Sequence, residues 1–233
     1  MKKQDLYFLI GLIAFFSPFF ISTDVYAGYI SFNQQHGFIM SFIKFAILAT
    51  TGEVIGLRII SGVYNKPGFG ILPRAIVWGI LGITIKIAFI IFASGVPPVL
   101  AYSGMENIAE IMKAGLTPHK LLVAFSISVA INLIYAPIMM SLHKITDIHI
   151  INNGGTIKGL FTAISVADIM ANMDWRKQWS FVFKKTIPFF WIPAHTITFL
   201  LPADMQVLFA AILGIALGII LAIASLQSAP AKA

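Results

Sequence analysis

The sequence predicts an all-α protein: a polytopic membrane helix bundle of six transmembrane helices, or five if the first is cleaved, plus one interfacial amphipathic helix. Three observations carry this expectation. The chain has 233 residues, of which 58% are hydrophobic and 11% charged, with a mean hydropathy of +0.90. Soluble domains carry about 25% charged residues, so charge here is too sparse to clothe a water-facing surface. The apolar residues also gather into runs long enough to cross hydrocarbon. Finally, Lys and Arg are distributed among the intervening loops as the positive-inside rule requires.

These features fit a single transmembrane domain over residues 1–233. Its net charge of +7 sits between the apolar runs, which suits anionic lipid rather than nucleic acid. The absence of cysteine excludes disulfides, thiol catalysis and cysteine-bound metal.

Residues 1–27 form an extra N-terminal helix or a signal-like segment. Lys2 and Lys3 precede the apolar stretch Leu6 to Ile21, and Val25-Tyr26-Ala27 has the small-residue character of a cleavage site. An uncleaved first helix is the favoured expectation.

The second span covers about Phe38 to Gly62. Lys44 and Arg58 near its ends can snorkel to the interface, whereas Glu53 cannot. Gly52 and Gly56 bracket Glu53 at a spacing that lets a neighbouring helix approach closely. The third span covers about Ala75 to Leu100, carries Lys86 near its middle, and is expected to break at Gly95-Val96-Pro97-Pro98. Residues 103–118 form a loop with a short helix. The fourth span, Leu121 to Leu142, is uncharged over 22 residues and contains Asn132 and Pro137.

Asn152-Asn153-Gly154-Gly155 breaks the chain. Ile157, Leu160, Phe161, Ile164 and Ala167 then recur at helical spacing, which predicts the interfacial amphipathic helix over 156–172. The fifth span lies in Thr186 to Ala203, an 18-residue run without Asp, Glu, Lys or Arg. It contains Pro188, Pro193 and Pro202 together with His195, Thr196 and Thr198. Each proline deletes a backbone donor, and the freed carbonyls must be satisfied by neighbouring helices, hydroxyls or water because lipid cannot do so. The sixth span, Met205 to about Ile223, places Ala210, Gly214, Gly218 and Ala222 on one face. That face is expected to pack on another helix, within the chain or between protomers of a homo-oligomer. Loop charge places both termini on the cytoplasmic side of a multi-pass protein.

The order of several short motifs resembles the Mpv-seventeen/peroxisomal-membrane-protein family over roughly residues 38–226. Trp191-Ile192-Pro193, Phe199 and Pro202 are similar to its closing signature, although one residue separates Trp191 from Pro193. Gly52-Glu53 is similar to a Gly-Asp in its first helix, Arg74 to an Arg preceding its second, and Tyr135-Ala136-Pro137 to its Phe-Ala-Pro. The chain departs from the family pattern at Thr198, where the family has Asn, and at Asp204-Met205-Gln206, where the family Arg is absent. The resemblance implies a small helical protein of the kind found in inner mitochondrial and peroxisomal membranes, with relatives elsewhere, and the expected location is a bacterial-type inner membrane or an organelle inner membrane. It also implies a membrane-embedded pathway, and names no substrate.

The candidate pore or binding residues are Glu53, Lys86, Asn132, His195 and Thr198. An unpaired charge at mid-bilayer depth costs about 2.5–3.5 kcal/mol on insertion scales, so Glu53 and Lys86 are expected to pair or to line a wet path. Asn132 either lines that path or bonds a neighbouring helix. His195 either titrates there or binds a carbonyl freed by proline. Pro137, Pro188, Pro193 and Pro202 are the expected kinks, and Gly52, Gly56, Gly214 and Gly218 the expected packing positions.

His143, Asp147 and His149 lack a compact metal spacing, and no nucleotide, hydrolase or metalloprotease fingerprint is present. No cofactor or metal is expected. The functional expectation is a channel or facilitator for small polar solutes. The alternatives are a non-transporting protein that binds lipid or a partner, and an intramembrane enzyme.

Overall fold

Segments with no water to bond their backbone must satisfy it internally, and winding into a helix does so. In the computed structural model, which describes residues 2–227 and side chains within 2–223, every regular element is helical. The chain divides into two compact units, Met1–Met40 and Ser41–Ala233.

The first unit contains α1 (Lys3–Phe16), α2 (Pro18–Ile21) and α3 (Thr23–Gln35). Asp5 accepts from the Lys2 backbone amide at 2.7 Å and so closes the start of α1. Ser17-Pro18 separates α1 from α2, and the Ser22 hydroxyl caps α3 by accepting from Val25 N–H. The stretch Lys3–Ile21 is long and apolar enough to cross a membrane, and none of it is buried within the protein.

The next helix, α4 (Gly37–Ser61), crosses the boundary between the units, and all later elements belong to the second unit. Gly62, Gly68 and Gly70 take positive φ in the loop after it, a conformation glycine adopts without a Cβ penalty. Then α5 (Ile71–Tyr102) runs through Pro97 and Pro98 without stopping. The expected break at Gly95–Pro98 is therefore absent. The two prolines lie in the final turns, where the loss of two ladder bonds does not end the helix.

A short α6 (Ile108–Lys113) follows. The expected fourth span is divided into α7 (Pro118–Ile134) and α8 (Ala136–Asn152), bent by 43° at Tyr135. Pro137 explains the break, because its missing N–H cannot reach back to Leu133.

The expected amphipathic helix over 156–172 is two pieces, α9 (Ile157–Leu160) and α10 (Val166–Asn172). Thr162 ends the first piece: its hydroxyl donates to Gly159 O at 2.7 Å, taking a carbonyl that helix continuation would need.

After α11 (Trp175–Lys177) comes a π-helix (Gln178–Trp191), then α12 (Ile192–Leu200) and α13 (Ala203–Gln227). The expected fifth span is thus shared between wide π winding, with Pro188 inside it, and the nine-residue α12, with Pro193 in its first turn. Pro202 lies in the turn to α13. Among the described residues, four helices are long and apolar enough to cross a membrane, or five if α7 and α8 count as one bent span. Six spans were expected.

The core centres on α7. Val123, Ala124, Ile127, Ser128, Ile131 and Asn132 are at most 2% exposed, and they form a single face at helical spacing. α12 packs along this face. On the other side, α4 and α13 meet through small residues. A Cβ added at Gly52 would lie 2.9 Å from Ile215 Cα, and one at Gly218 would lie 3.3 Å from Gly52 O.

Candidate functional site

The α4–α5 hairpin brings Glu53 level with the first turns of α5. Arg74 Nη1 donates to Glu53 Oε2 at 2.5 Å, and Trp78 Nε1 donates to Oε1 at 2.9 Å. Arg74 and Trp78 stand four residues apart and therefore share one face of α5. The bend at Tyr135 then carries α8 over the same point. His143 Nε2 lies 3.1 Å from Glu53 Oε1, and Asp147 forms an ion pair with Arg74 Nη2.

The remaining guanidinium nitrogen, Nε, donates to Phe69 O at 2.7 Å, and the Arg74 guanidinium lies over the Phe69 ring. Lys144 approaches Asp147 at 3.4 Å. Arg74 thus sits between two carboxylates with every nitrogen engaged, in a planar arrangement that arginine makes and lysine cannot. The His143 ring packs on Trp78 with centroids 4.2 Å apart.

A second polar level lies where α7 meets α12. Asn132 Nδ2 donates to Ser128 O at 2.8 Å and approaches His195 Nδ1 at 3.0 Å. Ser128 O can only accept, which fixes which end of the Asn132 amide carries the nitrogen. The Nδ2–H then points at His195 Nδ1, so that nitrogen accepts and the imidazole proton sits on Nε2. Ser128 donates to Ile192 O at 2.7 Å, and Asn132 Nδ2 lies 3.5 Å from Trp191 O. Side chains of α7 thereby serve the carbonyls at the switch from π to α winding. Asn132 Oδ1 and Trp191 Nε1 are buried without a hydrogen-bond partner.

Both levels border one cavity of about 320 Å³ between α4, α5, α7, α8, the π-helix, α12 and α13. Much of its wall is apolar, with Phe45, Ile85, Phe89, Ile131, Ala136 and Met139, while Gln178 and Thr186 add polar side chains from the π-helix. Gly214 and Gly218 contribute bare backbone on the α13 side. Tyr135 faces the cavity from the bend, and its hydroxyl lies 2.7 Å from Thr84 Oγ1.

No protein-family model, curated protein or solved structure matches the chain.

Of the residues singled out from sequence, Glu53, Asn132 and His195 line the cavity, and Lys86 and Thr198 do not. Thr198 is fully buried, and its hydroxyl returns to Ala194 O at 3.0 Å. The partner of Glu53 is Arg74 rather than Lys86, which instead comes within electrostatic reach of Lys44. The expected pairing placed the hairpin register too far along α5. His195 bonds an amide of α7 rather than a backbone carbonyl freed by proline.

Pro137 lies at the start of α8 and Pro193 at the start of α12, where a missing donor costs least. A Cβ added at Gly56 would lie 3.7 Å from Gly218 O, while one at Gly214 would meet nothing within 4 Å. Sequence reasoning did not single out Trp78, His143, Asp147, Ser128 or Trp191 as site residues. The four-residue spacings Arg74/Trp78 and His143/Asp147 were the available signal, since each pair shares a helix face.

Proposed function

We propose that this is a multi-pass membrane protein whose helix bundle holds a small amphipathic molecule in the cavity between α7, α12 and α13. The observation that carries this reading is the lining, which is predominantly apolar with a few polar groups set into it. Binding sites for small organic molecules have this character. The ionised level is already mutually paired, so it forms a closed end for the cavity and needs no ligand charge. The Glu53–His143 contact has the geometry of an acid–base pair. Arg74 and Trp78 hold the same carboxylate, however, which makes it an anchor between helices rather than a base.

A second reading, a conduit for small polar solutes, is favoured by one observation: Glu53, Asn132 and His195 border a common space. Against it, a predominantly apolar lining favours dewetting. Under either reading we place six crossings in the membrane, counting the π-helix with α12 as one and the bent α7–α8 pair as another. Both termini are placed on the cytoplasmic side of a bacterial-type or organelle inner membrane. Kinship with the Mpv-seventeen family is proposed on the order of its sequence motifs alone.

The test is photolabelling of the protein in nanodiscs with a diazirine-bearing alkane. Labels are expected on α7–α8 residues between Ile131 and His143 and on the facing side of α13. Labels confined to lipid-facing positions would overturn the cavity reading. Protein-dependent uptake of small anions, cations or neutral metabolites into liposomes would favour the conduit.

A further inference from the structure

We propose that Gln178 is the ligand-binding residue of this cavity, and that its amide takes an uncharged head group able to donate and accept at once, a hydroxyl or a carboxamide, at the end of a single apolar chain. The proposal rests on reading the cavity as a ligand site. It starts from the face that the π-helix turns to the cavity. Gln178, Val182, Thr186 and Trp191 line it at intervals of four or five residues. The i→i+5 bonding of π winding widens each turn past four residues, which holds those positions in one stripe. With the tighter turn of an α-helix, Trp191 would stand roughly 140° round from Gln178, out of the wall.

Gln178 is the first residue of the π-helix and Trp191 the last. Trp191 stands against Asn132, so the length of the π-helix carries Gln178 to the other end of the cavity, where Glu53, His143 and Lys144 line it. Gln178 is 6% exposed, yet its side-chain amide has no hydrogen-bond partner among the described residues. Unlike Asn132 Oδ1 and Trp191 Nε1, which are closed off, that amide stays open to a water-sized molecule. For a residue this buried, the cavity it lines is the space that keeps it open. Thr186, the other polar side chain of the stripe, is already committed, donating to Val182 O at 2.6 Å.

The chemistry of the head group follows from the amide. A carboxamide presents N–H donors and a carbonyl acceptor side by side. A primary amide matches both in a pair of bonds, a hydroxyl matches one or both, and an alkane matches neither. The head group is uncharged because Glu53, Arg74, Asp147 and Lys144 are engaged with one another, and burying a charge that nothing compensates is costly. From that end, Val182, Met140 and Ile131 offer the chain an apolar wall. At roughly 30 Å³ per water-sized group, the volume of about 320 Å³ admits on the order of ten non-hydrogen atoms. A two-chain phospholipid is too large.

The experiment is competition against photolabelling by a diazirine-bearing alkane, with the full chain in nanodiscs and competitors of matched size compared at equal membrane concentration. Octanamide is expected to displace the probe about tenfold better than decane, with 1-nonanol between them and octanoate no better than decane. Gln178→Leu keeps the bulk of the side chain in an apolar wall. It should reduce the preference for octanamide to about twofold or less while decane still competes. Its melting temperature should equal or exceed that of the parent, because an unmatched buried amide has been removed. A lower melting temperature would mean that Gln178 is bonded within the fold, and would overturn the proposal.

Monooctanoylglycerol, a single-chain lipid with hydroxyls at its head, separates two sources of the same chemistry. Displacement by it as well as by octanamide assigns a lipid, and displacement by octanamide and nonanol alone assigns a smaller molecule. Equal displacement by amide, alcohol, alkane and carboxylate would mean that water serves Gln178, and would overturn the subsite while leaving the cavity reading intact. Octanoate displacing best would place a charge at the head and would also overturn it. No labelling of cavity residues in the parent protein would overturn the cavity reading itself.

Discussion

Arg74 has its Nη1, Nη2 and Nε engaged by Glu53, Asp147 and the Phe69 carbonyl. Removing it would strand two carboxylates in a setting where their side chains are 19% and 15% exposed. Breaking a buried pair from one side typically costs about 3–5 kcal/mol. Arg74→Met should therefore lower thermal stability in detergent by an amount in that range. Lys86→Met should cost far less, since Lys86 does not neutralise Glu53. Equal melting temperatures for the two variants would contradict the assignment of the ion pair.

At this scale the sequence showed that Glu53 needed a partner but did not show which one. An in-membrane carboxylate demands a counter-charge, yet the counter-charge depends on hairpin register. Register in turn depends on how the glycine loop after α4 folds, which is a tertiary matter. Asn132 and His195 were each visible as polar residues in apolar runs. Their contact was not, because it requires α7 and α12 to be neighbours, and no local pattern specifies that.

Among the elements, the α4–α13 contact depends on missing side chains. Gly52→Ala would place a Cβ 2.9 Å from the Ile215 backbone, and backbone cannot yield as a flexible side chain can. Overpacking of this kind costs typically about 1–3 kcal/mol, which should appear as a lower melting temperature. Gly214→Ala, with open space around its Cβ, should leave the melting temperature within experimental error. The reverse order of effects would place the helix contact elsewhere. The long helices α4, α5 and α13 were legible because unbroken apolar composition dictates them. The breaks were read less well. Pro97 and Pro98 did not end α5, whereas Pro137, an expected kink, does break its run. A proline removes the same donor everywhere, but the outcome depends on how much helix remains beyond it and on which neighbours serve the orphaned carbonyl. The division of 156–172 turned on the Thr162 hydroxyl, a competitor that periodicity does not register.

For the whole molecule, composition alone conveyed the main finding, a helical chain with several helices long and apolar enough to cross a membrane. The number of crossings was less legible: six were expected, and among the described residues four helices, or five with the bent α7–α8 pair, are long and apolar enough. The proposed sidedness is directly testable. The chain has no cysteine, so single cysteines at Asn65, Glu106 and Asn153 report without background. In sealed, oriented vesicles, Glu106→Cys should react with an impermeant thiol reagent from one side, and Asn65→Cys and Asn153→Cys from the other. Any other grouping would refute the six-crossing arrangement.

The bend at Tyr135 sets the spacing of the two polar levels. Asn132 and His143 lie on opposite arms of it, and in a straight helix they would stand roughly 16 Å apart. Because Pro137 cannot supply the backbone bond that would straighten α7 onto α8, the 43° angle acts as a ruler built into the main chain. Under the proposed cavity reading, the length of guest is then a property of a backbone angle, and repainting the cavity walls with other side chains would change what is gripped without changing how long it can be.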